Sequence, residues 1–317
     1  MGTENSIKLD LASSPHIHSR WSTKTSMWMV VAALVPSVIS ALVFFGVYQL
    51  VVMAVAVGFA VGTEAVIKKI RGQEVTIWDG SGVITGLLLA LILPPNFALT
   101  STALGSIVAI VLGKEIFGGL GYNIFNPALV GRAFLQAAFP VPMTTWSKTS
   151  FAVDATSSAT PLASSKFESI FANVTDMLVG NTGGCMGETS SIAVLIGGIF
   201  LIAVGIVNWR VPLSMAVGVI VFGGLIHLID PTAPTPLYHL FAGGFMFGAL
   251  FMASDWVTSP ITAKGTWYFG LGIALIIVLI RVYGGLPEGV MYAILFMNAL
   301  TPLINRYTRP RLFGEVK

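Results

Sequence analysis

The sequence predicts an all-α integral membrane protein of about ten transmembrane segments, built as two inverted five-helix repeats with broken helices. Composition comes first. Apolar residues make up 55% of the chain and charged residues 10%, with a mean hydropathy of +0.85, whereas a soluble domain carries roughly 25% charge. Long apolar runs are the second observation, and a weak internal recurrence of glycine and proline positions is the third.

A crossing needs about 20 mostly apolar residues. Met27 to Tyr48, Leu50 to Ile67, Ser191 to Val207, Val211 to Ile229, Thr266 to Val282 and Val290 to Ile304 meet or approach that length. Thr102 to Phe117 and Ile124 to Phe139 complete the set, the latter interrupted by Asn126-Pro127 and Arg132. Two runs are broken: Gly82 to Leu93 stops at Pro94-Pro95-Asn96, and Leu240 to Ala253 stops at Ser254-Asp255-Trp256. Both are too short to cross.

Gly118-Gly119-Leu120 recurs as Gly284-Gly285-Leu286, and Pro94 recurs as Pro260 at the same offset, each behind a broken run. Repeats with an odd number of spans must enter the bilayer upside down relative to each other, an arrangement that places small-solute sites at broken helices near the midplane. The expected layout is a tail over 1–25, a first membrane repeat over 26–140, a polar loop over 141–190, a second repeat over 191–308 and a tail over 309–317.

Lys and Arg gather on cytoplasmic loops. With the N-terminus inside, the inner segments hold Lys8, Arg20, Lys24, Lys68, Lys69, Arg71, Lys114, Arg210, Lys264, Arg306, Arg309, Arg311 and Lys317, and the outer ones hold Lys148, Lys166 and Arg281. Both termini are therefore expected inside and the 141–190 loop outside. The net charge of +3 is dispersed beside apolar spans, which points to orientation in lipid rather than to nucleic acid. Residues 1–25 lack a short apolar core ending in a cleavage site, so a removable signal peptide is not expected. Cys185 is the single cysteine. The histidines, His16, His18, His227 and His239, have no metal-ligand spacing, so no zinc site or protein-ligated iron–sulfur cluster is expected. Redox chemistry would need an organic cofactor.

Where a helix stops inside a membrane, its freed backbone groups need a partner. Asp79, ahead of Gly80-Ser81-Gly82, and Asp255, behind Ala253-Ser254, are the acids nearest the two breaks. Each either coordinates a translocated cation or caps a helix at the interface. Arg132 lies inside a span, where a guanidinium is costly unless paired or snorkelling. Asn126 before Pro127 has the pattern of an N-cap followed by a first-turn proline, and such a helix start suits an electron-rich group. Phe44, Phe45, Phe245, Met246, Phe247 and Met252 are expected in packing or lipid contact.

The remaining feature is polar: Asp154-Ala155-Thr156-Ser157-Ser158-Ala159-Thr160-Pro161-Leu162 in the outer loop. Taken alone, a hydroxyl-rich stretch before proline is a turn. It resembles, however, the Asp-x-x-Ser-Gly-Ala-Thr signature at which a flavin transferase attaches FMN through a phosphoester to the final threonine. Upstream, Gly121-Tyr122-Asn123-Ile124-Phe125-Asn126-Pro127-Ala128-Leu129-Val130-Gly131-Arg132-Ala133-Phe134-Leu135 resembles the helix start shared by the D subunit of the Rnf electron-transport complex and the B subunit of the sodium-pumping NADH:quinone reductase. The short N-terminal tail favours the Rnf side of that family.

The resemblance implies covalent FMN on Thr160, with Asp154, Ser157, Ser158 and Ala159 forming the signature and Asn126 and Arg132 as further cofactor-binding candidates. Ser158 departs from the pattern's glycine and narrows the conformations open to the loop. The resemblance further implies a second, non-covalent flavin such as riboflavin, the other Rnf subunits and the transferase as partners, and coupling of ferredoxin-to-NAD⁺ electron flow to Na⁺ or H⁺ export across a plasma (inner) membrane. Thr160 is expected on an exposed loop that needs no deep pocket, and no catalytic residue is assigned. A channel for a small neutral solute and a purely structural scaffold are the competing readings, and both predict a chain without flavin.

Overall fold

A computed structural model describes residues 21–146, 160–168, 170–180 and 182–310. Asp154, Ser157, Ser158 and Ala159 lie outside the described residues. The described chain is mostly helical. Its first half contains α1 (Thr23–Phe45), α2 (Tyr48–Ile70), α3 (Ser81–Leu91), α4 (Leu99–Gly113), α5 (Pro127–Ala138) and the short α6 (Pro140–Thr144). Next come α7 (Pro161–Ala163), continued by a wide turn over Ser164–Glu168, and α8 (Val174–Val179). The second half contains α9 (Ser191–Val204), α10 (Arg210–Ile229), α11 (Pro236–Phe241), α12 (Phe245–Phe247) with a π turn over Gly248–Met252, α13 (Ala263–Tyr283) and α14 (Val290–Thr308).

Five helices are long and apolar enough to cross a membrane: Thr23–Phe45, Tyr48–Ile70, Leu99–Phe117, Arg210–Ile229 and Ala263–Tyr283. The helices α3 and α9 are apolar but shorter. Apolar residues of the long helices also face outward, with Val35, Ile39 and Val43 on α1 and Ile220, Val221 and Leu225 on α10 exposed, as lipid-facing residues are. The molecule is a multi-pass membrane protein.

The interior is assembled by neighbours. α2 packs on α3 and α4, α4 on α5, α10 on α13, and α13 on α14. Between the halves, α1 packs on α9 and α5 meets α14. Small residues permit these approaches, as is usual where helices associate without a hydrophobic drive: Gly131 of α5 faces Ala109 of α4, and Gly218 of α10 faces Ala274 of α13.

The break after α3 forms where the sequence places it. The second run is also interrupted over 242–244, between α11 and α12, before it stops ahead of Ser254. The freed backbone groups have partners. α3 ends before Pro94-Pro95, because proline cannot donate into a continuing helix. The carbonyls of Leu91 and Leu93 then accept from Gly187 N at 2.7 Å and Met186 N at 3.3 Å, in the loop before α9. In the second half, α11 ends at Phe241, and Arg281 of α13 supplies the missing donors to His239 O at 2.5 Å and Ala242 O at 2.8 Å. At the end of the π turn, Asn126 Nδ2 donates to Met252 O at 3.3 Å. Unpaired groups at this depth would cost several kcal/mol each.

Three basic residues assigned to loops on sequence grounds lie in the interior instead. Lys68, Lys114 and Arg281 are buried, each drawn in by acceptors within hydrogen-bond reach, so they do not act as free charges at a membrane surface.

Candidate functional site

The helix α5 links two cavities, each mostly apolar with a few polar groups on its wall. Asn126 caps its start, with Oδ1 accepting from Ala128 N at 3.1 Å and Leu129 N at 3.3 Å, and Pro127 follows as the first-turn residue. This end lines the first cavity, together with Ser81, Lys114, Asn123, Ser254 and Asp255. Arg132 and Gln136, further along α5, line the second cavity. The rise from Asn126 to Arg132 is about 9 Å along the axis. The sequence candidates therefore divide: Asn126 and Asp255 share one cavity, and Arg132 and Thr160 share the other.

The second cavity has a volume of about 450 Å³, within the range of ligand sites. Thr160 is 9% exposed and lines it with the rings of Trp146, Phe167 and Tyr292. The expectation of an exposed threonine is thus corrected. Pro161 turns the chain inward into α7, and Tyr238 of α11 pins that turn by donating to Pro161 O at 2.5 Å. Thr160 Oγ1 accepts from Ala163 N at 3.2 Å, so the hydroxyl caps α7, as the turn reading requires, and also lies at the cavity wall.

Charge in this cavity comes from both halves of the chain. Arg132 Nη2 lies 2.8 Å from Glu288 Oε2, which settles the sequence alternatives for Arg132 in favour of pairing over snorkelling. Glu288 Oε1 accepts from Gly244 N at 3.2 Å. Glu188 Oε1 accepts from Cys185 N at 2.9 Å. Desolvation, then the like charge of Glu288, push the Glu188 carboxyl up to about 7 against the pull of Arg132. Burial likewise pushes the Cys185 thiol up, so this cysteine stays protonated.

A further ionic cluster adjoins the first cavity. Glu64 Oε1 sits between Lys68 Nζ at 2.7 Å and Lys114 Nζ at 2.8 Å. Lys114 Nζ also donates to Ser81 Oγ at 2.6 Å, and Ser81 Oγ donates to Asp79 Oδ1 at 2.7 Å. Two lysines are thereby balanced by two carboxylates, one of them through a serine. Asp79 also accepts from the amide of Ser81, the first residue of α3, at 2.9 Å. Asp255 accepts from Thr258 Oγ1 at 3.1 Å and is half-buried at the first cavity.

Glu64, Glu188 and Glu288 escaped sequence reasoning. Glu64 carried a usable signal, because it is an acid within the apolar stretch Val57 to Ile67, and an ionisable group there is a site candidate by default. Glu188 and Glu288 lie in loops and gave no such signal.

Fold and site together define a class: a polytopic helical membrane protein that holds ionisable groups and cavities within its helix packing. The chain belongs to the NQR2, RnfD, RnfE family, whose sequence model matches residues 10–314. It is 43% identical over 319 residues to the D subunit of the proton-translocating ferredoxin:NAD(+) oxidoreductase complex of Clostridium ljungdahlii, covering 96% of each chain. It is 42% identical over 317 residues to the D subunit of the Na(+)-translocating ferredoxin:NAD(+) oxidoreductase complex of Acetobacterium woodii, covering 99% of this chain and 98% of that one. It is also 36% identical over 330 residues to the D subunit of the ion-translocating oxidoreductase complex of Stutzerimonas stutzeri, covering 93% of each.

Proposed function

We propose that this protein is the membrane flavoprotein D subunit of an ion-translocating ferredoxin:NAD⁺ oxidoreductase and carries FMN on Thr160. The observation that carries the reading is the position of Thr160 at the wall of the second cavity, which Arg132 and four aromatic residues also line. The residues fit the group. Thr160 supplies the hydroxyl for a phosphoester, Arg132 supplies N–H donors, and Trp146, Phe167 and Tyr292 supply surfaces for a planar ring. Bound there, a flavin supplies electron transfer in one-electron or two-electron steps. The protein's part is to fix its place and to set the charge around it. Asp154, Ser157, Ser158 and Ala159 complete the sequence that the transferase reads.

The chain is read as two inverted repeats of five segments with N-terminus and C-terminus inside and Thr160 on the outer side. Support comes from the matched order of a short helix, a break and two further helices in each half: α3, α4 and α5 against α12, α13 and α14. A second, non-covalent flavin belongs to the same reading; Asn123, Asn126 and Lys114 carry N–H groups at the first cavity, whose volume of about 100 Å³ has to widen to admit a ring. Asp255 in the same cavity is the candidate for the ion path. Asp79 is the weaker candidate, because its Oδ1 already accepts both from Ser81 N and from Ser81 Oγ. The transported ion is Na⁺ or H⁺, and the first two relatives named above differ on this point. The partners are the other subunits of the complex and, through them, ferredoxin and NAD⁺, in a plasma (inner) membrane.

The test is flavin fluorescence of the denatured protein, made alongside its flavin transferase, followed by peptide mass analysis. A peptide containing Thr160 heavier by FMN less one water is expected, with fluorescence lost in Thr160→Ala while the chain still folds. An unmodified Thr160 peptide would overturn the reading. For the ion path, Asp255→Ala should lower ions moved per electron in the reconstituted complex, and an unchanged ratio would exclude Asp255.

A further inference from the structure

We infer that Glu188, held against Glu288 at Gly244, takes up the proton that accompanies each electron entering the Thr160 cavity. The inference rests on the flavin reading above and adds a proton site to it.

Geometry carries it. The two carboxylates come from segments far apart in sequence and converge at one backbone point: a Cβ on Gly244 would lie 2.8 Å from Glu188 Oε2 and 2.8 Å from Glu288 Oε1. A Cβ there would push one or both carboxylate ends aside. Their other partners are unequal. Glu288 has the Arg132 guanidinium at 2.8 Å and the Gly244 amide at 3.2 Å, so its charge is compensated. Glu188 has one amide, from Cys185 at 2.9 Å, and among the described residues it forms no ion pair within 4 Å. It is the carboxylate that gains most from a proton.

The groups facing Glu188 are Cys185 on its own loop, Arg132 from α5, Glu288 from the loop before α14 and, more distantly, Arg281 from α13. Arg281 is tied to two carbonyls. Lys166 is turned away to Ile280 O and Leu286 O. Among the described residues, two guanidinium charges face the two carboxylates. A phosphodiester on Thr160 and an added electron both bring negative charge into a site of reduced dielectric, where close like charges repel strongly. One proton offsets the charge that the electron adds.

A reduced one-electron carrier of the complex, a flavin or an iron–sulfur centre, gives up an electron to the cavity flavin, and water at the cavity mouth gives up a proton. An O–H bond forms on Glu188. When the electron leaves for the next carrier, that bond breaks and the proton returns to water. Desolvation of Glu188, then the repulsion from Glu288, raise its carboxyl to about 7, where a group can both take and release a proton.

The full chain, made with its transferase and purified in detergent, tests this by redox titration of the Thr160 flavin across pH, with infrared difference spectra of reduced minus oxidised protein. The expected wild-type result is a carboxylic acid C=O band appearing on reduction and a proton uptake that Glu188→Gln lowers by up to one per electron. The same variant should lose the band. Glu288→Gln should move the break in the pH dependence to lower pH, since it removes the like charge and frees Arg132 for Glu188. It also serves as the second variant if Glu188→Gln does not fold. Flavin present, with band and pH dependence unchanged in Glu188→Gln, overturns the inference alone. No pH shift in Glu288→Gln does the same. A wild-type chain without flavin on Thr160 overturns the underlying reading, and the proton site with it.

Discussion

Arg132 of α5 and Glu288, in the loop leading to α14, form an ion pair at 2.8 Å between residues that stand 156 positions apart. The pair joins the two halves of the chain at the wall of the cavity that contains Thr160. Removing the guanidinium in Arg132→Ala leaves Glu288 with the Gly244 amide and a carboxylate neighbour. Breaking a buried pair from one side costs about 3–5 kcal/mol, and the partial exposure of Glu288 places this case at the low end. Thermal unfolding in detergent should register that loss, and the flavin proposed for Thr160 should become more accessible to quenchers. An unchanged midpoint would mean that the pair is not a strut between halves.

Glu64 offers a sharper contrast. Glu64→Ala strands Lys68 and Lys114 without their shared carboxylate, at a cost of about 3–5 kcal/mol. Arg71 pairs with Glu115 at 3.5 Å but is 39% exposed in its side chain. Its partner Glu115 is only 1% exposed, and Arg71 also donates to Glu115 O at 2.7 Å. Arg71→Ala should therefore cost about 1–3 kcal/mol, less than Glu64→Ala because one carboxylate then loses a single, longer contact. Equal losses in the two variants would contradict this charge network.

Helix packing makes a third prediction. A Cβ on Gly131 would lie 2.8 Å from both Ala109 Cβ and Gly105 O, whereas one on Gly58 meets nothing within 4 Å. Gly131→Ala should destabilise by about 1–3 kcal/mol through overpacking. Gly58→Ala should be neutral or stabilising by up to about 1 kcal/mol, from helix propensity alone. Unfolding midpoints of the two single variants decide the matter.

Glu188 predicts a pH dependence of stability. Its carboxyl is pushed up to about 7 in the folded chain from an ordinary 4.5, so the folded state binds more protons than the unfolded state between those values. Stability from this group is fully present below about pH 4.5 and is lost as pH rises through about 7. Glu188→Gln, which cannot ionise, should flatten that part of the profile. A wild-type curve that rises over the same interval, with no difference in the variant, would refute the assignment.

Much of the fold was legible in advance because membrane helices announce themselves by length and apolarity. The two breaks were legible for a local reason as well: Pro94-Pro95 cannot continue a helix, and Ser254-Asp255 ends an apolar run. Helix ends were less so. α4 starts at Leu99 and α14 reaches Thr308, because caps and neighbours, rather than hydropathy, set the last turns. The basic residues misled where a partner was remote, as with Lys114, whose carboxylate lies on α2.

By itself the sequence determined that the chain lives in a membrane, that a helix stops before Pro94-Pro95, and that Arg132 is a charge within a span; Thr160 stood out only through the resemblance. Tertiary structure alone decided that these two share a cavity, that Asn126 and Asp255 share another, and that Glu188 and Glu288 meet at Gly244. The physical reason is range. Burial of an apolar run and the refusal of proline to donate are properties of a few consecutive residues. The state of a buried charge depends on which opposite charge, carbonyl or amide the folded chain brings within about 3 Å, and those partners come from other helices and loops.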